Sequence, residues 1–238
     1  MELFPGSEVS ADADRLYHIA IEVEDAEAMR LYLLSKGVAG VPPATPVGKM
    51  GNRNFTIKDP NGNGVEIVQY MPDGWTVREK GRHLPDIRIA QRMSHVGVMV
   101  GEFAASMKFY GDIPGFREIW RGSSGGKTLN WVNMRVPDGE DYVGFILYEN
   151  YPTTDRLRTM HHICLEVPDI EQAAAILATR PYPPDNKAAT PMKIGVNGKR
   201  QINFYDVDGT RIEIMEPTTH DRQPRTSSTA PPPVAQPR

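Results

Sequence analysis

The stretch HHICLEV, from His161 to Val167, carries the pattern that decides the fold of this 238-residue chain. As a strand it places His162 and Cys164 on one face and its apolar residues on the other. Two similar stretches occur earlier, YHIAIEV at 17–23 and SHVGVMV at 94–100. A helix pattern follows each histidine, and about fifty residues later comes a strand with Glu66, Gly144 or Glu213 at the matching position. A repeat of this length predicts a fold assembled from copies of one supersecondary unit.

Each copy has the order β-α-β-β-β, which predicts an α+β fold of repeated modules. In the first copy, Asp25 stands where it can cap a helix, and Gly37 stands where that helix should end. The run Asp59-Pro60-Asn61-Gly62 is a strong turn signal before the last strand.

The chain divides into four segments on this pattern. Residues 1–75 are predicted to form a single module, and residues 76–94 a linker with a short helix. Residues 95–217 should form a two-module domain, because only a short segment joins the second and third copies. Residues 218–238 are rich in Pro, Ser and Thr and have little to bury, which predicts a disordered tail.

Composition excludes several classes of partner. The net charge is −3 with both signs mixed along the chain, so we expect no nucleic-acid footprint and no polybasic membrane patch. No apolar run approaches the length of a membrane span, and the first residues do not resemble a signal peptide. The single cysteine precludes an internal disulfide, so a reducing cytoplasm is the expected location.

The run FYGDIPGF at residues 109–116 resembles a hallmark, Phe-Tyr-x-Asp-x-x-Gly-Phe, of the vicinal oxygen chelate superfamily. This superfamily includes glyoxalase I, extradiol dioxygenases, methylmalonyl-CoA epimerase and bleomycin-binding proteins. Residues 59–66 and 204–213 resemble its final hairpin, with Val207 in place of the usual proline. The resemblance implies that two modules pair into a cup-shaped mixed sheet around a divalent metal, with helices outside.

The same resemblance implies that His95, His162 and Glu213 are the metal ligands. Gly144 occupies the fourth ligand position. Glyoxalase I-like sites use four protein ligands, whereas extradiol dioxygenases use two histidines and one glutamate, as here. Three ligands on Fe(II) leave positions open for a bidentate substrate and for dioxygen. Fe(II) is therefore favoured, while Mn(II), Zn(II) or Ni(II) would suit a Lewis-acid role.

Three functions stay open on this basis. The first is an extradiol-type dioxygenase that acts on a small molecule with vicinal oxygens. The second is a glyoxalase- or epimerase-like lyase or isomerase, and the third is a non-catalytic binding protein of the bleomycin-resistance type. Tyr148 and Tyr205 are the candidate catalytic side chains, with packing in the cavity wall as the alternative. Cys164 is either a thiolate ligand or a small buried hydrophobe.

The first module offers His18 and Glu66 but has no sister module in the chain. The run Glu2-Leu3-Phe4-Pro5-Gly6 resembles the end of a module's last strand. We expect either that the chain derives from a four-module protein and keeps Glu2 as part of a second site, or that this short match is accidental. An unpaired module exposes a sheet edge, which a second copy of the chain would cover in a homodimer.

Overall fold

The structure is a computed structural model that describes residues 16–182 and 187–236. Its strands form two sheets, and the α+β class predicted from the repeat is confirmed. The Glu2–Gly6 stretch lies outside the described residues. None of the described helices combines the length and apolarity that crossing a membrane would need. The elements in chain order are β1 (Ile19–Glu22), α1 (Ala26–Ser35), β2 (Arg53–Lys58), β3 (Gly64–Gln69), α2 (Trp75–Arg78), β4 (Arg92–Val100), α3 (Phe103–Asp112), β5 (Arg117–Gly122), β6 (Trp131–Arg135), β7 (Tyr142–Leu147), α4 (Thr154–Met160), β8 (His162–Glu166), α5 (Ile170–Ala178), β9 (Lys193–Ile194), β10 (Lys199–Tyr205) and β11 (Arg211–Thr219).

The first module forms a three-stranded sheet in the order β1-β3-β2. β1 and β3 are parallel, and β2 and β3 are antiparallel. Asp25 caps α1 as predicted, because its Oδ1 accepts a hydrogen bond from the Ala28 amide at 2.9 Å. Between α1 and β2, Val47 and Arg53 form an isolated antiparallel bridge.

The second and third modules share one curled eight-stranded sheet in the order β5-β6-β7-β4-β8-β11-β10-β9. The two first strands, β4 and β8, are antiparallel neighbours at its centre. Each runs parallel to the last strand of its own module, β7 or β11. Helices lie outside: Ile214 of β11 packs with Ile170 and Ala173 of α5. Residues that alternate with this apolar set point into the cup.

The first module packs against the second through its Asp59–Gly62 turn. The Asn61 carboxamide oxygen accepts hydrogen bonds from the Gly101 and Glu102 amides at 2.9 and 3.0 Å, just before α3. The side-chain nitrogen of Asn61, Nδ2, donates to Ser106 Oγ at 2.8 Å. The apolar residues of both modules form one continuous cluster. The turn of the first module therefore satisfies the two backbone amides that directly precede α3.

The C-terminal segment differs from the disordered tail predicted for residues 218–238. β11 continues to Thr219, and the chain then crosses to the edge of β5, where the Ser228 amide donates to the Arg121 carbonyl at 2.9 Å. Further on, the Pro231 carbonyl accepts from the Leu129 amide at 2.8 Å, and Ala230 is buried. The composition has little to bury by itself, but an edge strand offers unpaired backbone groups that such a segment can satisfy.

Candidate metal centre

The three predicted ligands come together at the centre of the eight-stranded sheet. His95 lies on β4, His162 on the adjacent β8, and Glu213 on β11 beyond it. His95 Nε2 is 3.2 Å from His162 Nε2 and 3.3 Å from Glu213 Oε2. His162 Nε2 is 3.5 Å from the same carboxylate oxygen. All three side chains are buried and point away from the outer helices.

A glycine makes room for one of these imidazoles. Gly97 of β4 is the register partner of His162 on β8. A Cβ atom at Gly97 would lie 2.0 Å from His162 Cε1 and 2.2 Å from Nδ1, far inside van der Waals contact. The His162 ring therefore lies across the backbone of β4, and only glycine at residue 97 permits that position.

Neighbouring groups orient the two imidazoles. The His95 ring stacks on Tyr142 at a centroid distance of 4.5 Å and an interplanar angle of 16°. His162 Nδ1 is 2.7 Å from the Met160 carbonyl and 2.6 Å from an Arg211 guanidinium nitrogen. A protonated Nδ1 donates to Met160, whereas accepting from Arg211 requires the other tautomer. The first tautomer leaves the Nε2 lone pair facing His95 and Glu213, which is the form that binds a metal.

The electrostatics of the site favour the protonation states that a metal requires. Burial, followed by the positive charge of Arg211, lowers the pKa of His162 to about 4. Burial opposes ionisation of Glu213, but the polar interactions of its carboxylate with His162 and then His95 outweigh burial and hold the pKa of this carboxyl well below its usual range. Two imidazole nitrogens and one carboxylate oxygen therefore converge, a donor set that suits divalent first-row metals.

Cys164 belongs to the same site. It is the register partner of His95 on one side and of Glu213 on the other, and it is fully buried. The metal-binding atoms of His95, Cys164 and Glu213 all lie within 4.8 Å of one another. Burial and the Glu213 charge raise the pKa of this thiol well above its usual value. Two triads therefore share His95 and Glu213, one completed by His162 and the other by Cys164.

Two further polar side chains stand beside the triad with unused hydrogen-bonding atoms. Arg211 lies two residues before Glu213, on the same face of β11, and Asn203 is the register partner of Glu213 on β10. Arg211 Nε and Asn203 Oδ1 are buried, and neither has a hydrogen-bond partner within residues 16–182 and 187–236. Such atoms can bind a ligand that enters the cup.

The fourth ligand position has space but no donor. A Cβ atom at Gly144 would lie 3.6 Å from His95 Cδ2 and 3.7 Å from Asn133 Oδ1, which is ordinary contact. A side chain would therefore fit at residue 144. The glycine there leaves the site one carboxylate short of a four-ligand set.

The two candidate catalytic tyrosines lie in different surroundings. Tyr205 is the register partner of Arg211 on β10, and Lys187 Nζ lies 4.7 Å from the centre of its ring. Tyr148 follows β7 and packs against Gly101, where a Cβ atom would be 2.6 Å from its ring. It lines a cavity of about 140 Å³ together with Met99 and His161.

His18 and Glu66 form a separate pair in the first module, away from the metal centre. His18 Nε2 lies 3.1 Å from Glu66 Oε2, and Asn54 donates to the other carboxylate oxygen at 2.5 Å. The third residue considered for this position, Glu2, lies outside the described residues.

Sequence reasoning missed Gly97, Tyr142, Arg211 and Asn203. Arg211 could have been found, because strand alternation places it on the face of Glu213. The contact of Gly97 with His162 depends on the register between two strands that are far apart in sequence, which no local pattern indicates.

Comparisons with known proteins concern the family and the fold of this chain. A family model described as the glyoxalase/bleomycin resistance protein/dioxygenase superfamily matches residues 92–214, which is more than half of the chain. No curated protein matches the sequence significantly.

Several solved structures share the fold. The Mn(II)-bound glyoxalase from Novosphingobium aromaticivorans is 16% identical with a TM-score of 0.57, over 84% of this chain and 62% of its own. The 2,3-dioxygenase LapB from Pseudomonas sp. KL28 is 16% identical with a TM-score of 0.59, over 89% of this chain and 76% of its own. A homoprotocatechuate 2,3-dioxygenase variant from B. fuscum is 16% identical with a TM-score of 0.60, over 90% of this chain and 58% of its own. The present chain is thus shorter than each of these proteins.

Proposed function

The chain belongs to the glyoxalase/bleomycin resistance protein/dioxygenase superfamily, and on that premise we propose that it is an extradiol-type, ring-cleaving dioxygenase. The proposed centre holds Fe(II) through His95, His162 and Glu213. The observation that carries this proposal is the convergence of the three donor atoms within 3.5 Å of one another, with Gly144 at the fourth position.

The donor set supports this chemistry over a four-ligand one. Two neutral imidazoles and one carboxylate form the arrangement that non-haem Fe(II) oxygenases use. When bound there, Fe(II) supplies open positions for two adjacent substrate oxygens and for dioxygen. The substrate class that follows is a small molecule with vicinal hydroxyl groups, such as a catechol.

The protein's own residues have separable tasks in this proposal. Gly97 and the Met160 carbonyl fix the orientation of His162, and stacking on Tyr142 fixes that of His95. Burial of the triad keeps bulk water away from the reacting groups. Arg211 is placed to hold negative charge on the substrate, since its Nε has no partner within the described chain.

Two tyrosines are the candidates for hydrogen bonds to substrate oxygens. Tyr205 is the stronger one, because it is the cross-strand partner of Arg211 beside the triad. Tyr148 lines the cavity of about 140 Å³ together with Met99, a residue of the strand that carries His95.

The test is oxygen consumption by anaerobically prepared, Fe(II)-loaded protein that is mixed with catechols in aerated buffer. Ring cleavage places both atoms of dioxygen in the product, so we expect one O₂ consumed for each catechol lost. Glu213→Gln should abolish consumption, while Glu149→Gln, an exposed residue beyond β7, should not. Iron-loaded protein that consumes no oxygen with any catechol would overturn the proposal.

The Mn(II)-bound glyoxalase among the structural neighbours keeps a second function open. In that case the metal would act as a Lewis acid, and Zn(II), Ni(II) or Co(II) would support turnover without oxygen consumption. A proton-transferring base would then have to come from a side chain other than Glu213, because Glu213 is a ligand.

A further inference from the structure

We propose that a groove between the first and second modules binds a small amphipathic anion, a carboxylate that carries an apolar chain or ring. The walls of this groove come from the segment after α1, the end of β2, and α3. Its volume is about 750 Å³, and pockets for small ligands have volumes of about 300–1,000 Å³. None of the described residues that line it belongs to the metal centre, so this inference does not rest on the function proposed above.

The floor of the groove is apolar. Ile57 of β2 and Phe109 of α3 are buried members of the cluster that runs through both modules. Val38 and Ile113 are half-buried and pack against that cluster. The groove therefore opens onto a part of the core that the two modules share. An apolar chain or ring that lies there is removed from water, which is favourable.

Three lysines surround this floor. Lys36 directly follows α1, Lys58 ends β2 and Lys108 lies on α3, and all three are exposed. Lys36 Nζ lies 5.2 Å from the centre of the Tyr32 ring. The salt bridges formed among residues 16–182 and 187–236 include none of the three ammonium groups. On a chain with a net charge of −3, the groove is thus a local concentration of positive charge.

One carboxylate, Asp59, also lines the groove, but it is buried and bound by its own turn. Its Oδ1 accepts hydrogen bonds from the Asn61 and Asn63 amides at 2.8 and 2.9 Å. Its Oδ2 accepts from Asn63 Nδ2 at 2.9 Å and from the Tyr110 hydroxyl at 3.1 Å. The three lysines therefore decide the charge that a ligand meets. They attract an anionic head group and repel a cationic one.

Calorimetric titration of the full-length protein with three probes tests this site. Octanoate has an anionic head and an apolar chain, 1-octanol has the chain without the charge, and inorganic phosphate has charge without the chain. We expect octanoate to bind at about one per chain and about tenfold more tightly than either of the other probes. Its affinity should fall as salt is added, because the lysines are exposed.

A charge variant tests the lysines. Replacement of Lys36, Lys58 and Lys108 together by Gln should weaken octanoate binding by about tenfold and leave 1-octanol binding nearly unchanged. The control carries the same change at three exposed lysines outside the groove: Lys49, Lys80 and Lys127. Equal octanoate affinity in the two triple variants would overturn the role of the lysines and with it the proposal.

A second pair of variants fills the groove without a change in charge. Ala105 and Ala104 are both exposed on α3, but only Ala105 lines the groove. Ala105→Trp should abolish octanoate binding, whereas Ala104→Trp should bind as the wild type does, and circular dichroism checks that both proteins fold. No octanoate binding to the wild type, equal binding of octanoate and 1-octanol, or phosphate binding as tight as that of octanoate would each contradict the proposal.

Discussion

At the scale of single residues, the centre depends on what two glycines permit. Gly97 has no side chain, and the His162 ring can therefore lie across β4. A Cβ atom at residue 97 would be 2.0 Å from that ring. Gly144 faces the same cup and has ordinary space around it. The two positions therefore form a matched pair, in which one glycine is sterically required and the other is not.

Gly97→Ala should displace the His162 imidazole and weaken metal binding by about tenfold or more, the effect seen when a ligand loses its orientation. Gly144→Ala is the control and should bind metal as the wild-type protein does. Competition with a chromophoric chelator measures both affinities, and circular dichroism checks the fold. Equal affinities for the two variants would contradict the orientation that the structure gives to His162.

Arg211 should make the cup bind negatively charged ligands more tightly than neutral ones. A divalent metal with one carboxylate and two neutral imidazoles keeps one positive charge, and Arg211 adds another. Arg211→Met should weaken binding of a carboxylate-bearing catechol by about 1.5–3 kcal/mol, the range for a hydrogen bond to a charged group. Plain catechol should bind nearly unchanged, and Arg211→Lys should retain part of the preference.

Calorimetric titration of the metal-loaded proteins measures this difference. Equal loss of affinity for the charged and the uncharged catechol would show that Arg211 supports the site only through its contact with His162.

At the scale of elements, the modules depend on contacts that cross between them. Glu102, the N-cap residue of α3, makes no side-chain cap hydrogen bond, and Asn61 of the first module accepts hydrogen bonds from the Gly101 and Glu102 amides just before this helix. The eight-stranded sheet ends at β5, whose edge receives the C-terminal segment at Arg121. Both contacts join pieces of chain that are far apart in sequence.

Asn61→Ala should lower the free energy of unfolding by about 1–3 kcal/mol, because it removes the acceptor for two backbone amides at the start of α3. Denaturant titration measures the change. Asn61→Asp keeps an acceptor and should lose less, and Asn150→Ala, an exposed asparagine beyond β7, should change little. An Asn61→Ala protein as stable as the Asn150→Ala protein would show that the two modules do not stabilise each other through this turn.

Deletion of residues 222–238 should expose the β5 edge and the surface now covered by Ala230. Loss of three backbone hydrogen bonds, at Arg121, Leu129 and Glu149, predicts a destabilisation of about 3 kcal/mol. The exposed edge should also raise the tendency to aggregate. Thermal unfolding and light scattering detect both effects, and deletion of residues 237–238 alone is the control. Unchanged unfolding after the longer deletion would mean that this segment contributes no stability.

At the scale of the whole molecule, the repeat made the fold and the triad predictable. Strand alternation predicts that His95, His162 and Glu213 each lie on the polar face of their own strand. The family resemblance implies the cup-shaped sheet that brings these three side chains together. The Gly97–His162 contact was not predictable, because it depends on strand register across the cup. Neither was the path of the C-terminal segment, whose composition suggests disorder when it is considered without the edge strand that it covers. The short segment that joins the second and third modules contains α4, a helix that the repeat pattern does not predict.

The central claim is that one cup in this chain builds a metal centre from His95, His162 and Glu213. The most direct measurement is the metal content of protein purified anaerobically with Fe(II), for the wild type beside His162→Ala and the exposed-site control His83→Ala. We predict about one iron per chain in the wild type and in the His83 variant, and a large loss in the His162 variant. Equal iron content in all three proteins, or no iron in any of them, would contradict the claim.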